Sequence, residues 1–305
     1  MRYMMGLAAL ALAMPVSAQA EDGVLKPNTM WISDFTEKGC RLMRSFGDED
    51  EPTVLMLQQW APATTFRWTV AGPNIARTRW QDEVMVQWGP KLPAYEQEFA
   101  RARLGNLGEA LLGRGLRDVP HPDEPISNEA LLALDPAKLA SAMEPVLAEV
   151  DTAQAAEIEY VSFRQGKRLN ITLQLPNLGE AVAAMNACTR DLAKSWGFGD
   201  EYADRLTTVP QFANPIMVAR LIQENYHVSP LYPGAQSDFN LRIIVGADGK
   251  PERCDWINET NIEASHMRRT PCDIVMAHAE FEPAMDQDEE PIRAILQNSV
   301  VYRMR

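Results

Sequence analysis

The chain predicts an α+β fold: an antiparallel β-rich domain with a helical insertion over residues 21–205, then a small ββαβ domain over residues 206–305. Three observations carry this. Short runs rich in Val, Thr and aromatic residues recur through the first half, broken by Pro and Gly as strands are. Two longer stretches place apolar residues at helical spacing behind capping residues. The last eighty residues hold hairpin, helix and strand signals in that order. At 305 residues, 46% of them hydrophobic, the chain has enough apolar side chains for two cores.

Residues 1–20 stand apart from this pattern. Arg2, the apolar stretch Met4 to Met14 and the small-residue site Ala18-Gln19-Ala20 read as a secretory signal peptide. The apolar stretch is shorter than the ~20 residues a spanning helix needs. After Glu21 no apolar run approaches that length, so no membrane span is expected in the mature chain, and no cysteine at its start calls for a lipid anchor.

Trp31 to Phe46, Thr53 to Trp60, Thr64 to Val70 and Glu83 to Trp88 read as one antiparallel sheet. Glu157 to Phe163 and Arg168 to Leu175 form a second pair across Gln165-Gly166-Lys167, and the alternation of Leu169, Ile171, Leu173 and Leu175 implies one buried face. A helical insertion is expected between these groups. It includes a helix capped by Asp135, with Leu139, Met143, Leu147 and Val150 on one stripe, which Pro145 kinks or shortens. Gly105, Gly108, Gly113 and Gly115 also fall in this insertion, in an order that fits no phosphate-binding loop.

A second helix follows Asn177, which with Glu180 resembles a capping box, and its stripe of Ala181, Met185, Cys188, Leu192 and Trp196 runs to a stop at Gly197. Thr207-Thr208-Val209-Pro210 and Asn214-Pro215 read as a linker. Beyond it, Leu241 to Val245 and Glu252 to Ile257 flank the turn Gly246-Ala247-Asp248-Gly249, which favours a hairpin. Thr270 caps a helix with Pro271 in its first turn and Asp273 in the acidic position of a capping box. A closing strand runs from Ile295 to Met304.

Tyr232-Pro233 with Ala235, the strand Leu241 to Val245, the turn Asp248-Gly249-Lys250 and the segment Phe281-Glu282-Pro283-Ala284 before the last strand together resemble the C-terminal domain of TonB-family envelope proteins. The chain departs from that pattern at Asp238-Phe239-Asn240, where the family has a glycine, and at Glu259-Thr260. The energy-transducing members of the family carry a membrane helix and a proline-rich spacer that are not found here, so the resemblance implies a solitary periplasmic member. In the first half, Cys40-Arg41-Leu42 with Phe46-Gly47 and the stretch Cys188 to Gly197 resemble the first domain of alphaproteobacterial envelope proteins.

Acidic residues outnumber basic ones by 42 to 29, for a formal net charge of −13, which argues against nucleic acid as a partner, since phosphate contacts need clustered Lys and Arg. Four cysteines in an exported chain allow three pairings. Cys40 and Cys188 lie in the first part and Cys254 and Cys272 in the second, which favours the bonds 40–188 and 254–272. Their gaps and the scattered His121, His227, His266 and His278 do not have zinc-site spacing, so no metal is expected. Asp286, Asp288 and Glu290 alternate like calcium ligands but stand without the rest of an EF-hand loop and read as a solvated turn.

No catalytic motif appears, and no motif implies a cofactor. Two functions stay open. One is a periplasmic interaction module that binds extended segments of envelope or outer-membrane proteins by strand addition at Val300, Val301 and Tyr302 on the closing strand. The other is an envelope hydrolase with its site in the N-terminal domain, around the loop residues His121, Asp123 and Glu124.

Overall fold

The computed structural model describes residues 23–79, 82–115, 149–225, 236–258 and 269–303; the signal-peptide segment, the helix expected after Asp135, and His121, Asp123 and Glu124 lie outside them. The fold is α+β, as the sequence predicts. Two antiparallel-rich sheets make up the first part. One has six strands in the order β2 (Ile32–Thr36), β3 (Gly39–Phe46), β4 (Thr53–Gln59), β5 (Arg67–Ala71), β9 (Glu109–Arg114) and β8 (Ala100–Arg103). The other has five: β1 (Val24–Leu25), β11 (Leu169–Gln174), β10 (Tyr160–Gln165), β6 (Val84–Gly89) and β7 (Tyr95–Gln97).

This division corrects the single sheet read from sequence. Val84–Gly89 pairs with Tyr160–Gln165 rather than with the earlier strands. An apolar alternation marks a strand and its buried face but not its neighbour, because pairing is decided by side chains far along the chain. The two sheets meet through aromatic residues: Trp68 of β5 lies 4.9 Å from Phe163 of β10, and Phe66 meets Trp88 of β6 edge-on at 5.2 Å.

The glycine-rich segment is a β-hairpin, not helix. β8 and β9 are joined through a single 3-10 turn at Gly105–Leu107, where Gly105 and Gly108 both adopt positive φ. Gly113 sits opposite Trp68, and a Cβ there would come within 2.2 Å of the indole ring. These glycines therefore serve a turn and a close aromatic contact.

Two helices follow in the first part: α1 (Thr152–Ala156), capped by the Asp151 side chain, and α2 (Leu178–Ser195), whose predicted stripe is buried as far as Trp196. The capping box at Asn177 does not form. Asn177 is in the left-handed region at φ 63°, which an Asn tolerates, and from there its side chain makes no bond to the first turn. Cys188 of α2 is bonded to Cys40 of β3.

The segment read as a linker is knitted into the second part. After α3 (Tyr202–Arg205), Thr207 and Thr208 donate backbone N–H groups to the carbonyl of Met285, and β12 (Gln211–Phe212) pairs with β15 (Phe281–Glu282). Pro215 opens a helix that the sequence reading passed over, α4 (Pro215–Asn225), with Val218 and Ile222 buried at i,i+4 spacing.

The second part is built on a three-stranded antiparallel sheet in the order β14 (Pro251–Asn258), β13 (Gln236–Val245), β18 (Ala294–Arg303). α5 (Pro271–His278) carries the predicted capping box, with Thr270 Oγ1 accepting from Asp273 N–H and the Asp273 carboxylate accepting from Thr270 N–H. Gly249 explains why the turn and the later Phe-Glu-Pro-Ala segment go together. Its φ is +73°, its carbonyl accepts the N–H of Phe281 at 2.9 Å, and a Cβ would lie 2.3 Å from the Phe281 oxygen. The short hairpin of β16 (Ala284–Met285) and β17 (Pro291–Ile292) then leads into β18.

Both faces of this sheet are covered over its first half. Leu241, Ile243, Val245 and Leu296 pack on one side with Val218 and Ile222 of α4 and Ile274 and Val275 of α5. On the other, Ile244 and Ile295 join the core of the first part. The ββαβ order expected from sequence is present, but its sheet leans on the N-terminal part.

Candidate functional site

β18 is an edge strand: its only strand neighbour among the described residues is β13. In an antiparallel ladder successive residues aim their N–H and C=O groups alternately toward and away from the partner. The N–H of Ile295 is donated to the phenolic oxygen of Tyr202 at 2.7 Å, so it points away from β13. The register runs unbroken from Ala294 opposite Val245 to Arg303 opposite Gln236. Ile295, Gln297, Ser299, Val301 and Arg303 therefore turn their backbone groups outward, and Val300 and Tyr302 turn theirs to β13.

This separates the three residues expected to meet a partner. Val301 offers an outward N–H, whereas Val300 is spent on the ladder opposite Phe239 and its side chain packs on the helix-covered core. Tyr302 pairs opposite Ser237.

The start of β18 is closed by groups from the first part. Tyr202 stacks on Phe198 at 4.3 Å, and burial pushes its phenol pKa well above the ordinary tyrosine range, against the smaller opposing pull of the Ile295 N–H and Arg293. Arg293 lies over the Phe198 ring and donates to the Trp196 carbonyl at 2.9 Å and to Glu252 at 2.5 Å. From Gln297 onward the outward side of the strand faces no such cap among the described contacts.

Between the sheet and the β4–β5 connection lies a cavity of about 240 Å³, lined by Gln58, Gln59 and Arg67 on one side and Asn240, Arg242 and Gln297 on the other. Gln59 is 3% exposed; its Nε2 donates to the carbonyls of Ala63 and Thr65 at 2.9 and 2.8 Å and so holds the connection in place. Its Oε1 is buried and has no hydrogen-bond partner among the described residues. Arg67 Nη1 reaches Asn240 Oδ1 at 3.5 Å, and Gln297 Nε2 donates to the Pro62 carbonyl at 3.3 Å.

Arg242 forms the floor of this junction. It is 1% exposed, lies 3.6 Å over the Trp196 ring, and donates to the carbonyls of Lys38 and Trp60 and to the Asp255 carboxylate. Burial lowers its guanidinium pKa while Asp255 raises it. A lone Arg inside the apolar run Leu241 to Val245 was the sequence signal for this buried contact. Tyr202 and Gln59 had no comparable signal.

The remaining candidates are structural. Cys40 bonds Cys188 and Cys254 bonds Cys272, and there is no free cysteine. Two disulfides indicate an exported, non-cytoplasmic protein, and no described helix is long and apolar enough to cross a membrane. The acidic run is only partly the solvated turn read from sequence. Asp288 and Glu290 are exposed, but Asp286 is buried, accepting from the N–H groups of Asp288 and Glu290 and from Arg205 at 3.0 Å. Arg205 and these N–H groups hold its carboxyl below the usual carboxylate range. Among the described residues no cluster of three His, Cys, Asp or Glu side chains is arranged to hold a metal ion.

No family model, curated protein or solved structure matches the chain.

Proposed function

We propose that the protein is a periplasmic interaction module that binds an extended segment of an envelope or outer-membrane protein by adding it as a strand to β18. The observation that carries this reading is the phase of the edge. Tyr202 occupies the outward N–H of Ile295, while Gln297, Ser299, Val301 and Arg303 present a row of outward backbone groups over the rest of a ten-residue strand. Main-chain bonds to such a row give affinity, and pockets beside it give selectivity. The TonB-like order of the last eighty residues supports the same reading.

Proline tests it. At Val301 proline removes an outward donor and obstructs an incoming strand, yet leaves the ladder to β13 intact, which edge strands tolerate. At Val300 it breaks the ladder itself. Mature V301P is expected to melt close to wild type and to lose capture of envelope proteins from an extract, whereas V300P is expected to melt lower. Undiminished capture by folded V301P would sink the proposal.

A further inference from the structure

We infer that β2 pairs with β2 of a second copy of this chain, joining two six-stranded sheets into one across a two-fold axis at Ser33. This is independent of strand addition at β18, since β2 is the edge of a different sheet. Of the six large apolar side chains exposed among the described residues, three lie within six positions on this edge: Met30 at 74%, Ile32 at 52% and Phe35 at 48%. Scattered apolar exposure is ordinary, whereas a cluster along one strand edge marks a contact surface.

The direction of the edge follows from β3. Asn28 N–H donates to the Ser45 carbonyl at 3.0 Å and Ser45 N–H to Thr29 Oγ1 at 3.1 Å, so Ser45 turns its backbone groups toward the chain that leads into β2. Alternation along β3 gives Met43, Arg41 and Gly39 the same direction, and their partners Ile32, Asp34 and Thr36 turn inward to meet them. Ser33 and Phe35 are left with outward N–H and C=O groups, which no strand pairs among the described residues. No proline, lysine or bulge blunts the strand.

Two-fold symmetry allows few registers, because outward residues must oppose outward residues. Centring on Asp34 sets like charges directly opposite each other, which destabilises. Centring on Ile32 pairs Phe35 with Thr29, in a bend that is already held to Ser45. Centring on Ser33 opposes Ile32 to Asp34 and Trp31 to Phe35, each twice, and covers Met30, Ile32 and Phe35 together. Two cross-strand aromatic pairs then add to the main-chain bonds, and Asp34 keeps its ion pair with Arg41.

Sedimentation equilibrium of the full mature chain tests this. The wild type is expected to show a monomer–dimer equilibrium with a Kd below about 0.1 mM and no larger species. Ile32→Asp places a carboxylate opposite Asp34 of the other copy, and Ile32→Lys places an ammonium there. The Asp variant is expected to dimerise about tenfold more weakly than the Lys variant. Ser33→Pro removes an outward donor on both sides of the axis and is expected to be monomeric while melting close to wild type. Should Ser33→Pro fail to fold, the contrast between the two Ile32 variants decides. A wild type that stays monomeric, species larger than a dimer, or Ile32 variants that dimerise equally would each overturn the inference.

Discussion

The phenolic oxygen of Tyr202 accepts the backbone N–H of Ile295 at 2.7 Å, on the side of β18 that faces away from β13. One side chain from the first part thus closes the beginning of the edge and marks which residues of the strand face outward. Tyr202→Phe keeps the ring contact with Phe198 and removes the acceptor. Urea unfolding is expected to show a loss of about 1–2 kcal/mol, the cost of one unsatisfied buried donor.

Tyr202 also sets an alkaline limit. Its folded pKa lies above the unfolded value, so the folded state keeps a proton that the unfolded chain gives up. Its contribution is complete below the ordinary tyrosine pKa of about 10 and declines as pH rises above it. Midpoints measured from pH 8 to 11 should fall for wild type, and more gently for Tyr202→Phe.

Arg242 should be the costliest single side chain at the junction. Arg242→Met fills much of the space over Trp196 but forfeits bonds to Lys38, Trp60 and Asp255. Leaving the Lys38 and Trp60 carbonyls without this donor, and Asp255 with Arg253 as its remaining partner, is expected to cost about 3 kcal/mol in urea unfolding. The same contact bears on autonomy. The C-terminal part has its own hairpin, helix and disulfide, which by themselves imply independent folding. In the fold, Ile244 and Ile295 belong to the core of the first part. A fragment of residues 206–305 is therefore expected to bind ANS and melt below the full chain.

The disulfides should differ in worth. In the chain-entropy account a cross-link stabilises through the loop it closes: 148 residues for Cys40–Cys188 and 18 for Cys254–Cys272. Replacing both cysteines of a pair with serine is expected to cost about 5 and about 3 kcal/mol respectively. Non-reducing peptide mapping should recover these two pairings and no crossed one.

Much of the C-terminal part was legible because its signals are local. Asp248-Gly249 dictates a turn, and Thr270-Pro271 with Asp273 dictates a helix start, whatever surrounds them. Asn214-Pro215 carries the same kind of start signal but reads as linker in sequence, and only the packing of Val218 and Ile222 on the second part's core shows the helix. Where partners are distant, the sequence is silent. Glu83 to Trp88 reads as a strand in either sheet, and only its pairing with Tyr160–Gln165 decides which. The site was half legible for the same reason. The closing strand and its end residues were readable, but which of Val300 and Val301 faces outward depends on the register with β13, sixty-one residues from Val300 at Phe239.

The most direct test is residue-resolved amide exchange across Leu296 to Arg303, with and without a captured partner segment. Strand addition at this edge predicts alternation in the free protein: slow exchange at Leu296, Asn298, Val300 and Tyr302, fast exchange at Gln297, Ser299, Val301 and Arg303. On binding, the fast set alone should become protected. Fast amides at Gln297, Ser299, Val301 and Arg303 that stay fast in the complex would contradict the account.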